Sequence, residues 1–138
     1  MKLKGKVVLV TGAAKRIGRE NALALAGRGC HVAITYRSSR KEAEATAAAI
    51  RRKGVRAMAV EADLLDSDQV RQAVRSIDSR FGRIDVLVNN ASSFYPTPWR
   101  TVTDAQWEDL IGTNLSGPWR FAQAAAPGMK RRGPGKII

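Results

Sequence analysis

The residues with the clearest chemical use stand in one stretch, Val7-Val8-Leu9-Val10-Thr11-Gly12-Ala13-Ala14-Lys15-Arg16-Ile17-Gly18. Its continuous apolar run suits a parallel strand covered on both faces. Gly12 permits a tight turn and lets the backbone come close to a ligand. Gly18 removes a Cβ where the following helix would lie against the strand. The first turn of that helix carries unpaired N–H groups and the positive end of a dipole, so a pyrophosphate is favoured there. The spacing departs from G-x-G-x-x-G, because Arg16 stands where a middle glycine would be expected. A ligand-free strand–turn–helix junction would use the same residues, so the context must decide.

A second group follows the second apolar run, Thr35-Tyr36-Arg37-Ser38-Ser39. A carboxylate at this point would bind a ribose 2′-OH and select NAD, and none is present. Arg37 offers a planar fork for a phosphate, and Ser38 can donate a hydrogen bond. Arg16, projecting from the glycine loop, reaches toward the same place. These residues argue for a 2′-phosphate and hence NADP(H); the alternative is a solvated surface arginine.

The hydrophobic pattern defines the elements that must hold these groups. A helix is predicted over 16–29, with Ile17, Ala24 and Leu25 on one face and Gly27 and Gly29 ending it. A strand over 30–36 leads into the polar turn at Arg37. A second helix over 40–53 carries the stripe Ala43, Ala47 and Ile50, and Gly54 stops it. A third strand over 55–62 ends at Asp63-Leu64. The third helix opens at Asp66 or Ser67, presents Val70, Val74, Ile77 and Phe81, and closes at Gly82. A fourth strand over 84–88 runs into Asn89-Asn90-Ala91 and a turn-rich loop ending at Pro98. Thr103 and Gln106 have capping-box spacing and open a fourth helix, with Trp107, Leu110 and Ile111 as its buried face. Leu115, Trp119, Ala122 and Met129 continue the pattern as a fifth helix. Gly117-Pro118 predicts a break between the two, and Pro127 a kink or late stop. After the turn Gly133-Pro134-Gly135, Lys136-Ile137-Ile138 opens a fifth strand.

This alternation, without a linker or low-complexity segment, implies a single α/β domain over 1–138: a doubly wound parallel sheet with helices on both faces. Ligands of such sheets sit at the carboxyl ends of the strands. That edge collects Thr11-Gly12, Tyr36-Arg37, Asp63-Leu64 and Asn89-Asn90-Ala91, and this context strengthens the dinucleotide reading.

The composition narrows the alternatives. The single Cys30 forms no internal disulfide and builds no cysteine metal site, which fits a reducing compartment. The only histidine, His31, lies in an apolar run and reads as a packed strand residue; no metal site is expected. The basic segment Met1 to Lys6 precedes an apolar run too short for a signal core or a membrane span, so a cytoplasmic protein is expected. The net charge of +12 raises nucleic acid as a partner. The cations are scattered, however, and lack interleaved stacking aromatics, so a solvated surface is favoured over a nucleic-acid site.

Thr11-Gly12-Ala13-Ala14-Lys15-Arg16-Ile17-Gly18, Asp63-Leu64, Asn89-Asn90-Ala91-Ser92 and Asn114 together resemble the N-terminal half of a short-chain dehydrogenase/reductase. The resemblance covers essentially the whole chain and implies a Rossmann-like fold. The loop from Asn90 to Pro98 and the pair Lys15-Arg16 resemble the pteridine reductases within that family. By this resemblance Gly12, Arg16, Ile17 and Gly18 would line the pyrophosphate turn, and Arg37 and Ser38 would hold the 2′-phosphate. Asp63 and Leu64 would border the adenine, and Asn90 and Ala91 the adjoining ribose. Ser92 and Phe94 would face the substrate, with Phe94 stacking on a flat heterocycle. An aromatic side chain in a strand-end loop is a usable stacking surface, although Phe94 packed on its own domain is the alternative. Asn114 would match the family's structural and proton-relay asparagine, or be an ordinary helix-break residue.

The family's chemistry also requires a serine and a Tyr-x-x-x-Lys. Tyr36 and Tyr95 are followed four residues later by Arg40 and Trp99, so neither makes that motif. The chain is therefore expected to stop before the catalytic half, at the start of the fifth strand. Uncovered faces at Trp107, Trp119 and Met129 would then call for a partner, either a second copy or the other half. The resemblance itself implies a homo-oligomer. The leading expectation is the cofactor half of an NADPH-dependent reductase of a carbonyl or pteridine-type C=N substrate, inactive alone. A non-catalytic nucleotide-binding module comes next, and a basic nucleic-acid-binding protein last.

Overall fold

Alternating apolar runs and amphipathic segments fold as a parallel sheet with helices on both faces, in a computed structural model that describes residues 2–138. In order, the elements are β1 (Val7–Val10), α1 (Arg16–Gly27), β2 (His31–Tyr36), α2 (Arg40–Arg51), β3 (Ala57–Glu61), α3 (Ser67–Phe81), β4 (Val86–Val88), α4 (Asp104–Ile111), α5 (Gly117–Arg132) and β5 (Lys136–Ile137). The sheet runs β3-β2-β1-β4-β5 with every neighbouring pair parallel. The chain winds outward from β1 through β2 and β3, then returns to the other side of β1 with β4. The carboxyl end of β1 therefore opens onto a switch point between two diverging connections, where a crevice forms. This is the doubly wound, Rossmann-like arrangement expected from the alternation.

Side chains of β1 alternate between two core layers, as the pleat requires. Val7 and Leu9 pack with Val70, Ile77, Phe121 and Met129 under α3 and α5. Val8 and Val10 pack with Ala22, Ala26, Ala43 and Ile50 under α1 and α2. Burial on both faces is the reason β1 is apolar at every position.

The face of α1 differs from the expected one. Gly18, Ala22 and Ala26 are buried, whereas Ala24 is exposed and Ile17 is 74% exposed. Small residues four apart let the helix lie close on the sheet, and the bulkier side chains fall on the flanks. In α3 the expected face is the buried one. Asp66 caps its first turn, accepting from the N–H groups of Asp68 and Gln69 at 2.8 and 3.1 Å, and Gly82 closes it in the left-handed region.

The capping box of α4 forms, Gln106 N–H donating to Thr103 Oγ1 at 3.2 Å and Thr103 N–H to Gln106 Oε1 at 3.0 Å. The buried face expected of Trp107, Leu110 and Ile111 does not form. No residue of α4 is buried, and Trp107 is 62% exposed. The helix is tied down by the opposite side, where Tyr95 Oη donates to the Gln106 carbonyl and to Asp109 Oδ2. Trp107, Leu115 and Trp119 thus stand exposed together with Ile111. Met129, also expected to lack cover, is buried in the core beside Gly135.

The break expected at Gly117-Pro118 is replaced by one wide π-helical turn, Gly112–Ser116, that joins α4 to α5. Pro118 falls in the first turn of α5, where its missing N–H is tolerated. Pro127 does not end α5, which continues to Arg132 because Phe121, Ala125 and Met129 anchor it on both sides of the proline. Among the described residues, no helix is long and apolar enough to cross a membrane.

Candidate functional site

Three strand ends are sewn together at the switch point. Thr11 Oγ1, after β1, accepts from the N–H groups of Asn90 and Ala91, each at 3.0 Å. Asn90 Nδ2 returns bonds to the carbonyls of Thr11 at 2.9 Å and Gly12 at 3.3 Å. On the other side, Gly12 N–H donates to Thr35 Oγ1 at 3.2 Å, and Ala13 N–H to the Thr35 carbonyl at 3.1 Å. Thr11 and Thr35 are buried. Their hydroxyls tie the glycine loop to β2 on one side and to the end of β4 on the other. The sequence reading missed this role; its signal was two threonines closing otherwise apolar strands.

The glycines do the work expected of them. Gly12 has φ +62, and a Cβ there would stand 2.7 Å from Ala91 Cβ. At Gly18 a Cβ would meet Asn90 Nδ2 at 2.5 Å and the Gly12 carbonyl at 2.7 Å. Arg16 has φ +55, the one positive value outside glycine among the described residues. The middle-glycine position therefore keeps a glycine-like backbone while carrying a guanidinium. Holding a side chain in the left-handed region costs about 1–2 kcal/mol.

An open cleft of about 450 Å³ lies over this loop. Gly12, Arg16, Ile17 and Gly18 line one side, Arg37 one end, and Asn90, Ala91 and Ser92 the other side. Lys15 and Ser93, which carry no expected site role beyond the motifs that contain them, line it as well, and so does Thr113, which the sequence reading did not single out. Three cations thus surround the cleft, none of them in an ion pair among the described residues, and no carboxylate lines it.

The remaining candidates lie outside the cleft wall. Ser38 is exposed beside Arg37. Asp63 closes a turn, its Oδ1 accepting from Leu65 N–H at 2.9 Å and its N–H donating to Gln69 Oε1 at 3.0 Å. Leu64 places its side chain in the core under Gly117, and its carbonyl accepts from Arg120. Asn114, in the π turn, clamps the loop after β4: Ser93 N–H donates to its Oδ1 at 3.0 Å, and its Nδ2 to the Ser93 carbonyl at 2.8 Å. Tyr95 is held by Asp109 at 3.0 Å; burial and that carboxylate push the phenol up, so it serves as a neutral donor and loop anchor. Between these two fixed residues Phe94 is 89% exposed. It is not packed on its own domain.

Two further polar groups belong to the scaffold. His31 accepts from Arg56 N–H at 3.1 Å, and burial with the Arg56 charge lowers its pKa. Asp85, at the opposite edge of the sheet, is 4% exposed. It accepts from Val7 N–H at 2.9 Å and from Lys6 Nζ at 3.3 Å, and it pairs with Arg83. Burial opposes its charge, but these donors outweigh burial and hold the carboxyl below the usual carboxylate range. The sequence signal was a lone acid inside the apolar run of the fourth strand.

The chain resembles known proteins along nearly its whole length. The family model for short chain dehydrogenase matches residues 6–138. The 3-oxoacyl-(acyl-carrier-protein) reductase FabG of Staphylococcus aureus is 41% identical over 133 residues, which is 96% of this chain and 54% of that one. A short chain dehydrogenase from Burkholderia cenocepacia, solved in complex with NADP, superposes with a TM-score of 0.89 at 38% identity, over 94% of this chain and 53% of its own. An NAD+-bound xylitol dehydrogenase superposes with a TM-score of 0.92 at 32% identity, over 99% of this chain and 53% of its own. The chain thus spans about half the length of the relatives it matches.

Proposed function

Because the chain belongs to the short-chain dehydrogenase/reductase family, we propose that it is the nucleotide-holding part of an NADP(H)-dependent oxidoreductase acting as a reductase. The carrying observation is the charge of the cleft. Its wall holds Lys15, Arg16 and Arg37 and no acid. Relatives of this fold include proteins bound to NADP and to NAD, so the fold alone does not choose between them. Arg37, standing where an acid would bind a ribose 2′-OH, favours the phosphorylated nucleotide.

The residues present fit such a group. Gly12 and Gly18 leave a concave backbone that a Cβ would fill. The N-terminal turn of α1 offers N–H groups to a pyrophosphate. Arg37 and Ser38 receive the 2′-phosphate, with Arg16 beside them. Asp63 and the Leu64 backbone border the adenine, and Asn90 and Ala91 the adjoining ribose. When bound, NADPH supplies a hydride to a C=O or C=N carbon. Asn114 holds Ser93 in place, so Ser92 and Phe94 face the space where substrate would enter. The exposed Phe94 ring supports a flat substrate, pteridine-type rings included. Among the described residues, those lining the cleft include no tyrosine, so this segment's own part is binding and orientation. The exposed face of Trp107, Leu115 and Trp119 supports association with further protein, a second copy or a catalytic half. A cytoplasmic setting belongs to the same proposal and is supported by the lone, buried Cys30 thiol.

A nucleotide that binds the folded state stabilises it by RT ln(1 + L/Kd) at free concentration L, so the melting temperature rises with the logarithm of concentration and rises more for the tighter ligand. Thermal unfolding with increasing NADPH is therefore expected to shift upward, and more than with equal NADH. No shift with either would reject the reading. Arg16→Gly separates strain from binding. It is expected to stabilise the free chain by about 1 kcal/mol by relieving the left-handed backbone, while reducing the NADPH-induced shift. Loss of both stability and shift would show that Arg16 is not strained.

A further inference from the structure

The cations that are scattered along the sequence are gathered by the fold. Parallel strands joined by helices bring the carboxyl end of each connecting helix to the amino edge of the sheet, opposite the cleft. Five segments build that edge: 2–6 ahead of β1, and then 24–30, 48–56, 78–85 and 129–136, each the last turn of a helix with the connection into the next strand. They hold fourteen of the 24 Lys and Arg residues and, of the 12 acids, only Asp78 and Asp85. The edge thus carries the whole net charge of +12, and the rest of the molecule is balanced.

Helix ends explain a part of this. Cations in a last turn offset the macrodipole, and Arg51, Arg80, Lys130, Arg131 and Arg132 are so placed. The rest stand in the connections, where no dipole calls for them. Both acids are already engaged, Asp78 with Arg132 and Asp85 with Lys6 and Arg83. Where β1, β4 and β5 begin, Lys2, Lys6, Arg83, Arg132 and Lys136 line an open groove of about 500 Å³ with the turn at Gly133, and no carboxylate lines it. Like charges crowded on one edge repel one another in the folded state, so a polyanion seated there relieves a standing cost.

The chemistry of the edge chooses among polyanions. Single strands are held by stacking on aromatic rings, and a membrane-surface site adds an apolar face to its cations. The exposed large apolar side chains, all three Trp and Phe94 included, lie outside the five segments. What remains is a row of cations, eight of them Arg, whose planar fork suits phosphate oxygens. Five strands about 4.8 Å apart make the edge about 19 Å long, over which a duplex presents about eleven phosphate charges. We infer that this edge is a second binding surface, which holds the phosphate backbone of duplex nucleic acid without reading its sequence, independently of the nucleotide cleft. If about four phosphates are contacted, affinity falls about a hundredfold between roughly 50 and 200 mM salt.

The test follows the fluorescence anisotropy of a labelled random-sequence DNA duplex titrated with the whole chain, with and without excess NADPH. An edge variant combines Lys2→Gln, Lys53→Gln and Lys136→Gln. A matched variant combines Arg40→Gln, Lys41→Gln and Arg75→Gln, which lie outside the edge and remove the same charge. All six side chains are exposed and in no ion pair among the described residues, so both variants should melt with the wild type. The edge variant is expected to bind duplex about tenfold more weakly or worse, with a flatter salt dependence. The matched variant should stay close to wild type, and NADPH should leave duplex affinity unchanged. Equal loss in both variants would reduce the edge to bulk charge and overturn the inference. So would equal affinity for single-stranded DNA, tighter binding to polyglutamate or to phosphatidylserine vesicles, or no duplex binding at low salt. Displacement of the duplex by NADPH would place it in the cleft, overturning the second surface while leaving the cofactor reading intact.

Discussion

Replacing Asp85 by alanine is expected to destabilise the fold by about 3 kcal/mol, the usual cost of breaking a buried ion pair from one side. Asp85 ties the amino end of β1 to β4 through Val7 N–H, and it gathers Lys6 and Arg83. Its removal leaves a strand N–H without a partner and two cations facing each other. Asp85→Asn keeps the shape and an acceptor for Val7, so it should cost less. The pH dependence follows from the lowered carboxyl. A carboxylate whose folded pKa lies below its unfolded value contributes stability that is full above the unfolded pKa, about 3.9 for aspartate. That contribution disappears as pH falls through the folded value. Urea melts of the wild type should therefore lose stability below about pH 4, and Asp85→Asn should flatten that loss. Some acid sensitivity should persist, because hydrogen bonds from the Gln69 and Asp68 N–H groups also hold the Asp66 carboxyl low. Equal acid slopes in both proteins would show that Asp85 is not the group responsible.

Gly12→Ala is expected to damage both stability and binding. The new methyl would meet Ala91 Cβ at 2.7 Å in a backbone that already has φ +62. Left-handed strain of about 1–2 kcal/mol adds to an overpacking cost of about 1–3 kcal/mol. The loop can relieve the clash only by separating Thr11 from Asn90 and Ala91, which dismantles the bonds that hold the cleft. Gly54→Ala is the control. Its φ is +81, but nothing lies within 4 Å of the added Cβ, so it should show the strain alone and leave nucleotide affinity unchanged. If the two variants melted at the same temperature and bound nucleotide alike, the close contact at Ala91 would carry no weight.

Legibility followed from how many constraints each residue carried. The strands and the switch point could be read because burial on both faces forces continuous apolar runs such as Val7 to Val10, and because polar residues collect where those runs end. The close backbone approaches at Gly12 and Gly18 could be read because a glycine at a strand–helix turn leaves a residue-type signature, and the place of Arg37 on the cleft wall followed from its position at the end of the second strand. The face of α1 could not, since close packing selects the small Gly18, Ala22 and Ala26, which hydrophobicity scarcely weights. The orientation of α4 was hidden for the opposite reason. Trp107 and Ile111 are apolar enough to suggest a core, but the polar ties of Tyr95 and Asp109 fix the other side of the helix. The π turn left no trace beyond Gly117-Pro118, which local rules read as a break, although tertiary packing on Leu64 carries the helix through.

We propose that the cleft over the glycine loop selects a 2′-phosphorylated nicotinamide nucleotide through Arg37. The most direct measurement is the ratio of NADH to NADPH dissociation constants for the chain and for Arg37→Ala, taken at one ionic strength. Tighter NADPH binding is expected in the wild type. Arg37→Ala should lose about tenfold or more for NADPH, the worth of a charge-assisted hydrogen bond, with little change for NADH, so that the ratio collapses toward one. A wild-type ratio already near one, or a variant that weakens both nucleotides equally, would contradict the claim.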